Sequence, residues 1–190
     1  MKNIFLFSFI LISYFVNAQG FKGGLIVGGT ASQVDGDQWS GYHKVGLQAG
    51  VYSRYDFNEK WAFLTEIKYI QKGSSKTVKD NPQANFKVSL SYVELPFILN
   101  YKLKNNITFG AGLSYGQLLN AKVDDSGGTI SRDQLDYRNY DINSIVQFKY
   151  NINEQLWVDI KFAYSISSIK EDDYNKQWNN LFAFGLGYEF

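Results

Sequence analysis

The chain has 190 residues, a formal net charge of +1, one histidine, no cysteine and an aromatic content of 17%. Near-neutrality without a basic patch excludes nucleic acid as a partner. The absence of cysteine excludes a disulfide framework, a thiol nucleophile and a cysteine-based metal site. Pro82 and Pro96 are the only prolines and the glycines are dispersed, so no linker divides the chain and one domain is expected.

Met1, Lys2 and Asn3 form a short positive start, and an apolar run follows from Ile4 to Phe15. Val16-Asn17-Ala18 then places small residues before Gln19, the pattern of a signal peptide cut after Ala18. The apolar run is too short for a spanning helix, which needs roughly 20 residues. A cleaved signal peptide over residues 1–18 and a single barrel domain over residues 19–190 are therefore expected.

From Phe21 onward apolar residues alternate with small or polar ones, the period of strands, and helical periodicity is almost absent. Eight strands are predicted at residues 21–31, 44–57, 61–71, 91–103, 107–119, 140–152, 156–168 and 181–190. Each is near or above the ~9–11 residues with which a tilted strand crosses a bilayer. Asn58-Glu59-Lys60, Lys104-Asn105-Asn106 and Asn153-Glu154-Gln155 are tight polar turns. Long polar stretches at residues 32–43, 72–90, 120–139 and 169–180 alternate with them. This pattern predicts an all-β fold: an eight-stranded antiparallel up-and-down transmembrane β-barrel with short periplasmic turns and long extracellular loops. A hairpin hidden in residues 77–90 would raise the strand count to ten.

The bulk of each face decides which one points outward. In the eighth predicted strand, Phe182, Phe184, Leu186, Tyr188 and Phe190 oppose Leu181, Ala183, Gly185, Gly187 and Glu189. In the fifth, Ile107, Phe109, Ala111, Leu113 and Tyr115 oppose Thr108, Gly110, Gly112, Ser114 and Gly116. An eight-stranded barrel encloses room only for its own inward side chains, so the bulky faces must look outward, into lipid. The same parity turns Arg54, Asp56, Glu66, Lys68, Glu94, Lys102, Lys149, Asp159, Lys161 and Glu189 inward. Buried charge is costly unless paired, so an interior charge network is expected, with Arg54, Glu66, Lys68, Glu94, Asp159, Lys161 and Glu189 as its members. Phe57, Trp61, Tyr101, Tyr150 and Tyr188 are placed in an aromatic girdle at the short-turn end, and Tyr69, Tyr92, Tyr140 and Tyr164 in one at the long-loop end. Trp157 sits near the first girdle but has inward parity.

The stretch Ser91-Tyr92-Val93-Glu94-Leu95-Pro96-Phe97-Ile98-Leu99-Asn100-Tyr101 resembles a recurring strand of the PorT-like outer-membrane β-barrel (porin family) proteins of Bacteroidetes. So do Glu66 to Gly73, Gly110 to Gly116 and the closing Gly185-Leu186-Gly187-Tyr188-Glu189-Phe190. A leader ending Ala18-Gln19 is also common in that group. The resemblance implies an outer-membrane location and a barrel fold, without implying an open pore. A terminal Phe190 matches the aromatic end that barrel-assembly machinery reads. The expected surroundings are outer-membrane lipid and lipopolysaccharide, with the chain acting as a monomer.

Other motifs carry less. His43 is the only histidine; with Ser40 or Ser53 it would be needed for a lipid-modifying outer-membrane enzyme, but no spacing marks a dyad. Asp124-Asp125-Ser126-Gly127-Gly128 and Glu171-Asp172-Asp173 are acidic loop clusters without the spaced ligands of a calcium loop. No cofactor, metal site or catalytic residue is expected. The chain reads as a structural or interaction barrel with a closed polar interior and loops as its binding surface. The alternatives are a soluble periplasmic lipocalin-like ligand carrier and, below it, the lipid-modifying enzyme.

Overall fold

Strict alternation of bulky and small side chains leaves these segments one stable arrangement, a pleated ladder with its bulky side on one face. The computed structural model describes residues 20–37, 41–76, 85–125, 128–131, 135–172 and 174–190. The strands are β1 (Phe21–Asp35), β2 (Lys44–Asp56), β3 (Trp61–Lys76), β4 (Phe86–Lys104), β5 (Ile107–Asp125), β6 (Gly128–Ser131), β7 (Tyr140–Asn151), β8 (Leu156–Ser165) and β9 (Trp178–Glu189). Antiparallel pairing runs β1–β2–β3–β4–β5–β7–β8–β9, and β9 returns to β1 from Gly24↔Glu189 to Asp35↔Trp178. Eight strands thus close a ring, and β6 stands outside it, folded back on β5 alone. The expected signal peptide lies outside the described residues.

Two turns share a sequence and a geometry. In Asn58-Glu59-Lys60-Trp61 the Asn58 Oδ1 accepts from the amides of Lys60 and Trp61, both at 2.9 Å. In Asn153-Glu154-Gln155-Leu156 the Asn153 Oδ1 accepts from Gln155 N at 2.9 Å and Leu156 N at 2.7 Å. Asparagine imitates a backbone turn in this way, which pins both hairpins at the short-turn end.

At the other end several strands run further than their apolar pattern predicts. β1 reaches Asp35, β3 reaches Lys76, β4 starts at Phe86, β5 reaches Asp125 and β9 starts at Trp178. The added residues still alternate: Val88 and Leu90 are buried while Lys87 is exposed. With polar residues on their outer side they resemble loop in sequence. Conversely, β8 ends at Ser165, short of the predicted residue 168. Of the hairpin considered in residues 77–90, the described part, from Phe86, belongs to β4, and residues 77–84 lie outside the described residues. The additional hairpin is formed by β5 and β6 instead.

The outward positions carry the bulk. Val27, Leu47, Val51, Ile67, Leu113, Val146 and Leu186 are each about half exposed or more, and no charged residue shares their face between the two girdles. A wall of this kind is at rest only in hydrocarbon, and ring closure leaves no free sheet edge for lipid to face. Aromatic pairs mark the short-turn edge: Trp61 and Tyr101 at 4.8 Å, Tyr55 and Phe57 at 5.3 Å, Tyr188 and Phe190 at 6.0 Å. Tyr115 stacks on Tyr140 at 6.4 Å near the opposite edge.

Tyr92 corrects the expected girdle. It is fully buried in the lumen, because its even number places it on the face of Glu94 and Ile98. Trp157 also points inward, as its parity requires, and its Nε1 donates to the Tyr52 hydroxyl at 3.0 Å. Gly187 lies opposite Trp157 in the ladder, and a Cβ there would collide with the indole ring. Gly24 does the same for Tyr52. The glycine-rich strands are therefore the space into which neighbouring strands put their large inward groups.

An arginine placed on the lipid face near mid-membrane should be costly. Leu113→Arg is expected to lower stability by about 2–4 kcal/mol, read as a shift in urea unfolding of the protein folded into lipid vesicles. An unchanged midpoint would contradict the outward assignment of that face.

Candidate functional site

The lumen holds a continuous chain of seven charged side chains, none more than 2% exposed. It begins on β8, where Asp159 Oδ2 meets Lys161 Nζ at 2.9 Å. Lys161 reaches Glu66 Oε1 on β3 at 2.5 Å. Lys68 then links Glu66 at 3.2 Å to Glu94 of β4 at 3.6 Å. Lys72 links Glu94 at 2.7 Å to Asp141 of β7 at 3.1 Å. β3 and β8 stand on opposite sides of the ring, so the Glu66–Lys161 pair spans the barrel from wall to wall. Neutral groups add to the two terminal acids: Gln147 donates to Asp159 at 2.5 Å, Ser165 to Asp141 at 2.7 Å, and Asn179 to Asp141 at 2.8 Å. Charge-assisted bonds of this sort are roughly twice as strong as neutral ones, and more so in a low dielectric.

A second cluster sits at the short-turn end. Arg54 pairs with Glu189 at 2.9 Å and with Asp56 at 3.0 Å, and Lys22 reaches Glu189 at 3.2 Å. Lys149 is 3% exposed and makes no ion pair among the described residues; its Nζ lies 5.3 Å from the Trp157 ring. Lys102 is exposed at the mouth.

Arg54, Glu66, Lys68, Glu94, Asp159, Lys161 and Glu189 thus divide between two clusters. The larger cluster also takes in Lys72 and Asp141, which sequence reasoning left out. Lys72 lies one residue beyond the predicted end of its strand, and Asp141 shares the inward parity of Lys149, the signal that marks it. The sequence predicts a closed polar interior; the lumen is layered, with apolar side chains between the charges. Ile26, Leu64, Ile98 and Ile145 fill it between the charges. Toward the long loops Val88, Leu90, Leu118 and Val123 pack with Tyr137 and Ile169 from the connections. Burial there pushes the Tyr137 phenol pKa up, with the carboxylate of Asp37 adding to the effect.

The acidic loop clusters have structural work. Asp124 accepts from Thr129 Oγ1 at 2.6 Å across the β5–β6 hairpin. Asp172 accepts from Tyr174 N at 2.9 Å and Asn175 Nδ2 at 2.7 Å, bonds that hold its carboxyl below the usual carboxylate range. No metal-holding group of acids and histidine occurs among the described residues. His43 is exposed beside the start of β2, and Ser53 lies at the far end of that strand, about 30 Å away at ~3.3 Å per residue. Ser40 lies outside the described residues.

Residues 17–171 match the family described as the outer membrane protein beta-barrel domain. The chain belongs to that family. Its fold is similar to Ail, the attachment invasion locus protein of Yersinia pestis, with a TM-score of 0.54, 16% identity, and coverage of 89% of this chain and 98% of that one. It is also similar to Neisserial surface protein A (NspA), with a TM-score of 0.56, 14% identity, and coverage of 90% and 97%. Ail in complex with the heparin analogue sucrose octasulfate gives a TM-score of 0.54 at 15% identity, over 90% and 99% of the two chains. At these identities the likeness is one of fold. No curated protein matches the chain. As a family member the protein is a small outer-membrane barrel. The lipocalin-like alternative is not favoured, since a soluble carrier needs a polar outside and a roomy apolar inside.

Removing one lysine from the ladder should leave stranded carboxylates. Lys161→Met is expected to destabilise by about 3–5 kcal/mol, because Glu66 and Asp159 lose their shared partner inside the barrel. Lys22→Met, half exposed at the mouth, should cost about 0–1 kcal/mol. Urea titration in lipid vesicles distinguishes the two.

Proposed function

We propose that the protein is a non-enzymatic outer-membrane barrel with a closed lumen, working through its long-loop end at the cell surface. The wall-to-wall Glu66–Lys161 pair carries this reading, because it occupies the section through which a solute would pass. The apolar layer around Leu118, Tyr137 and Ile169 supports it by packing the lumen again nearer the loops. The separation of His43 from Ser53 supports a role without catalysis.

In this reading the short turns and both termini face the periplasm, and export follows cleavage after Ala18. Assembly machinery reads the strand ending at Phe190, and the mature monomer sits among outer-membrane lipid and lipopolysaccharide. The PorT-like pattern of Ser91 to Tyr101 favours a place beside that group of Bacteroidetes barrels. Ail is named for attachment and invasion, and NspA as a surface protein. Their shared fold fits a barrel that presents loops rather than a channel.

An epitope inserted after Tyr174, which is 97% exposed in the last long loop, should be labelled by antibody on intact cells. Labelling only after permeabilisation would reverse the orientation. In planar lipid bilayers the purified protein should give no stable open steps, and a porin-like conductance would overturn the closed lumen.

A further inference from the structure

Among the described residues the β2–β3 seam is unpaired toward the long-loop end. β2 begins at Lys44 and pairs with β1 up to Ser32↔Lys44, but its ladder with β3 starts only at Gln48↔Ile70. Above that point β3 follows β4 as far as Lys76↔Phe86. The β1–β2 and β3–β4 hairpins therefore part toward the long-loop end, leaving a notch in the wall. Its floor is sealed by side chains: Thr30 Oγ1 donates to the Gln71 carbonyl at 2.7 Å, and Ser32 Oγ to the Gly73 carbonyl at 2.9 Å. Gly46 lets this floor close, since a Cβ there would lie 2.6 Å from Thr30 Oγ1 and 2.8 Å from the Gln71 carbonyl.

Above the floor is a cavity of about 380 Å³ lined by His43, Lys44, Val45, Ser75, Lys76, Asn85, Phe86 and Lys87. Among the described residues the lining contains three lysines, Lys44 and Lys87 among them, the histidine His43, and no carboxylate. Lys44 is only 8% exposed, and its Nζ donates to the Val45 carbonyl at 3.0 Å while making no ion pair among the described residues. Lys87 is exposed and faces Asp124 across the β4–β5 ladder, a carboxylate that it shares electrostatically with Lys122 at 3.6 Å and that is bonded to Thr129. The lining includes an outward-facing residue of the wall, Val45. Val45 and Leu47 are 74% and 65% exposed, among the barest apolar side chains of the wall.

We propose that the β2–β3 notch seats the phosphate of an outer-leaflet lipid headgroup, with Lys44 and Lys87 as its principal cations and His43 at its rim. The charge selects an anion. The exposed apolar surface of Val45 and Leu47 selects one that carries acyl chains, which pack against those residues while the phosphate enters the notch. A phosphorylated glycolipid meets both demands. The assignment to the outer leaflet rests on the proposed orientation; the site itself does not.

The test uses the whole protein purified in a non-ionic detergent and native mass spectrometry, with bisphosphorylated lipid A as probe and its dephosphorylated form as control. The wild-type protein should retain the bisphosphorylated lipid and not the control. Lys44→Gln should weaken retention about tenfold, and Lys44→Gln with Lys87→Gln about a hundredfold, as two charge-assisted contacts are lost. Retained heat-dependent mobility on gels shows that the variants are folded. Equal retention of the two lipids, or unchanged binding by the double variant, would overturn the site. If sucrose octasulfate displaced the lipid and bound as tightly by itself, the notch would be a site for soluble polyanions and the lipid assignment would fall. Detergent-solubilised protein has no inside or outside, so a failed surface label leaves this measurement standing, and the converse holds.

Discussion

Lipid provides no partner for a bare amide or carbonyl, and the pairing of β9 with β1 is how this chain meets that constraint. Once the ring closes at eight strands, its lumen is narrow and everything else follows from the shortage of space. Leucine, phenylalanine and tyrosine are sent outward, where hydrocarbon accepts them. Glycine, alanine and serine line β1, β5 and β9 inside, and their small size admits Trp157, Tyr52 and the long charged chains of β3 and β8. The glycines read as empty space in one strand are filled by the residue across the ladder.

The lumen then has to accommodate charges that it cannot hydrate. Four carboxylates and three lysines alternate along the chain Asp159, Lys161, Glu66, Lys68, Glu94, Lys72 and Asp141, so each charge except the terminal acids lies between two of opposite sign. Such an arrangement adds little net stability compared with a well-packed apolar core, yet breaking it is expensive. Its consequence is specificity of register. A slip of one residue in β3 would turn Glu66 and Lys68 into lipid together and take Lys72 out of the lumen. Ile26, Leu64, Ile98 and Ile145, buried between the charges, lower the local dielectric around those pairs.

The long-loop end obeys different rules, because its strands have left the hydrocarbon. Outward positions become Lys87, Ser89 and Lys122, while inward positions stay apolar at Val88, Leu90 and Val123. Freed from the need to pair with every neighbour, β2 and β3 can separate, and β5 can fold back on β6. Variation in shape is concentrated where water can satisfy the backbone.

The number of strands, their up-and-down order and the direction of each face were legible in the sequence, because a period of two combined with bulk leaves a narrow barrel one solution. Glu66, Glu94, Asp159 and Lys161 could be placed inside by parity alone. The upper ends of β1, β3, β4 and β5 were not legible: polar residues outside the membrane alternate against water on one side and lose the apolar contrast that marks a strand. Lys72 was hidden for that reason. Which lysine meets which carboxylate across the lumen depends on strand stagger and on ring closure, which bring Glu66 and Lys161 together over 95 residues of chain. Local composition determined what faces lipid, because solvent preference is a property of each residue. Only the closed tertiary structure decided the order of the charge ladder, the apolar layers between its charges and the parting of β2 from β3, because those depend on distances between strands remote in sequence.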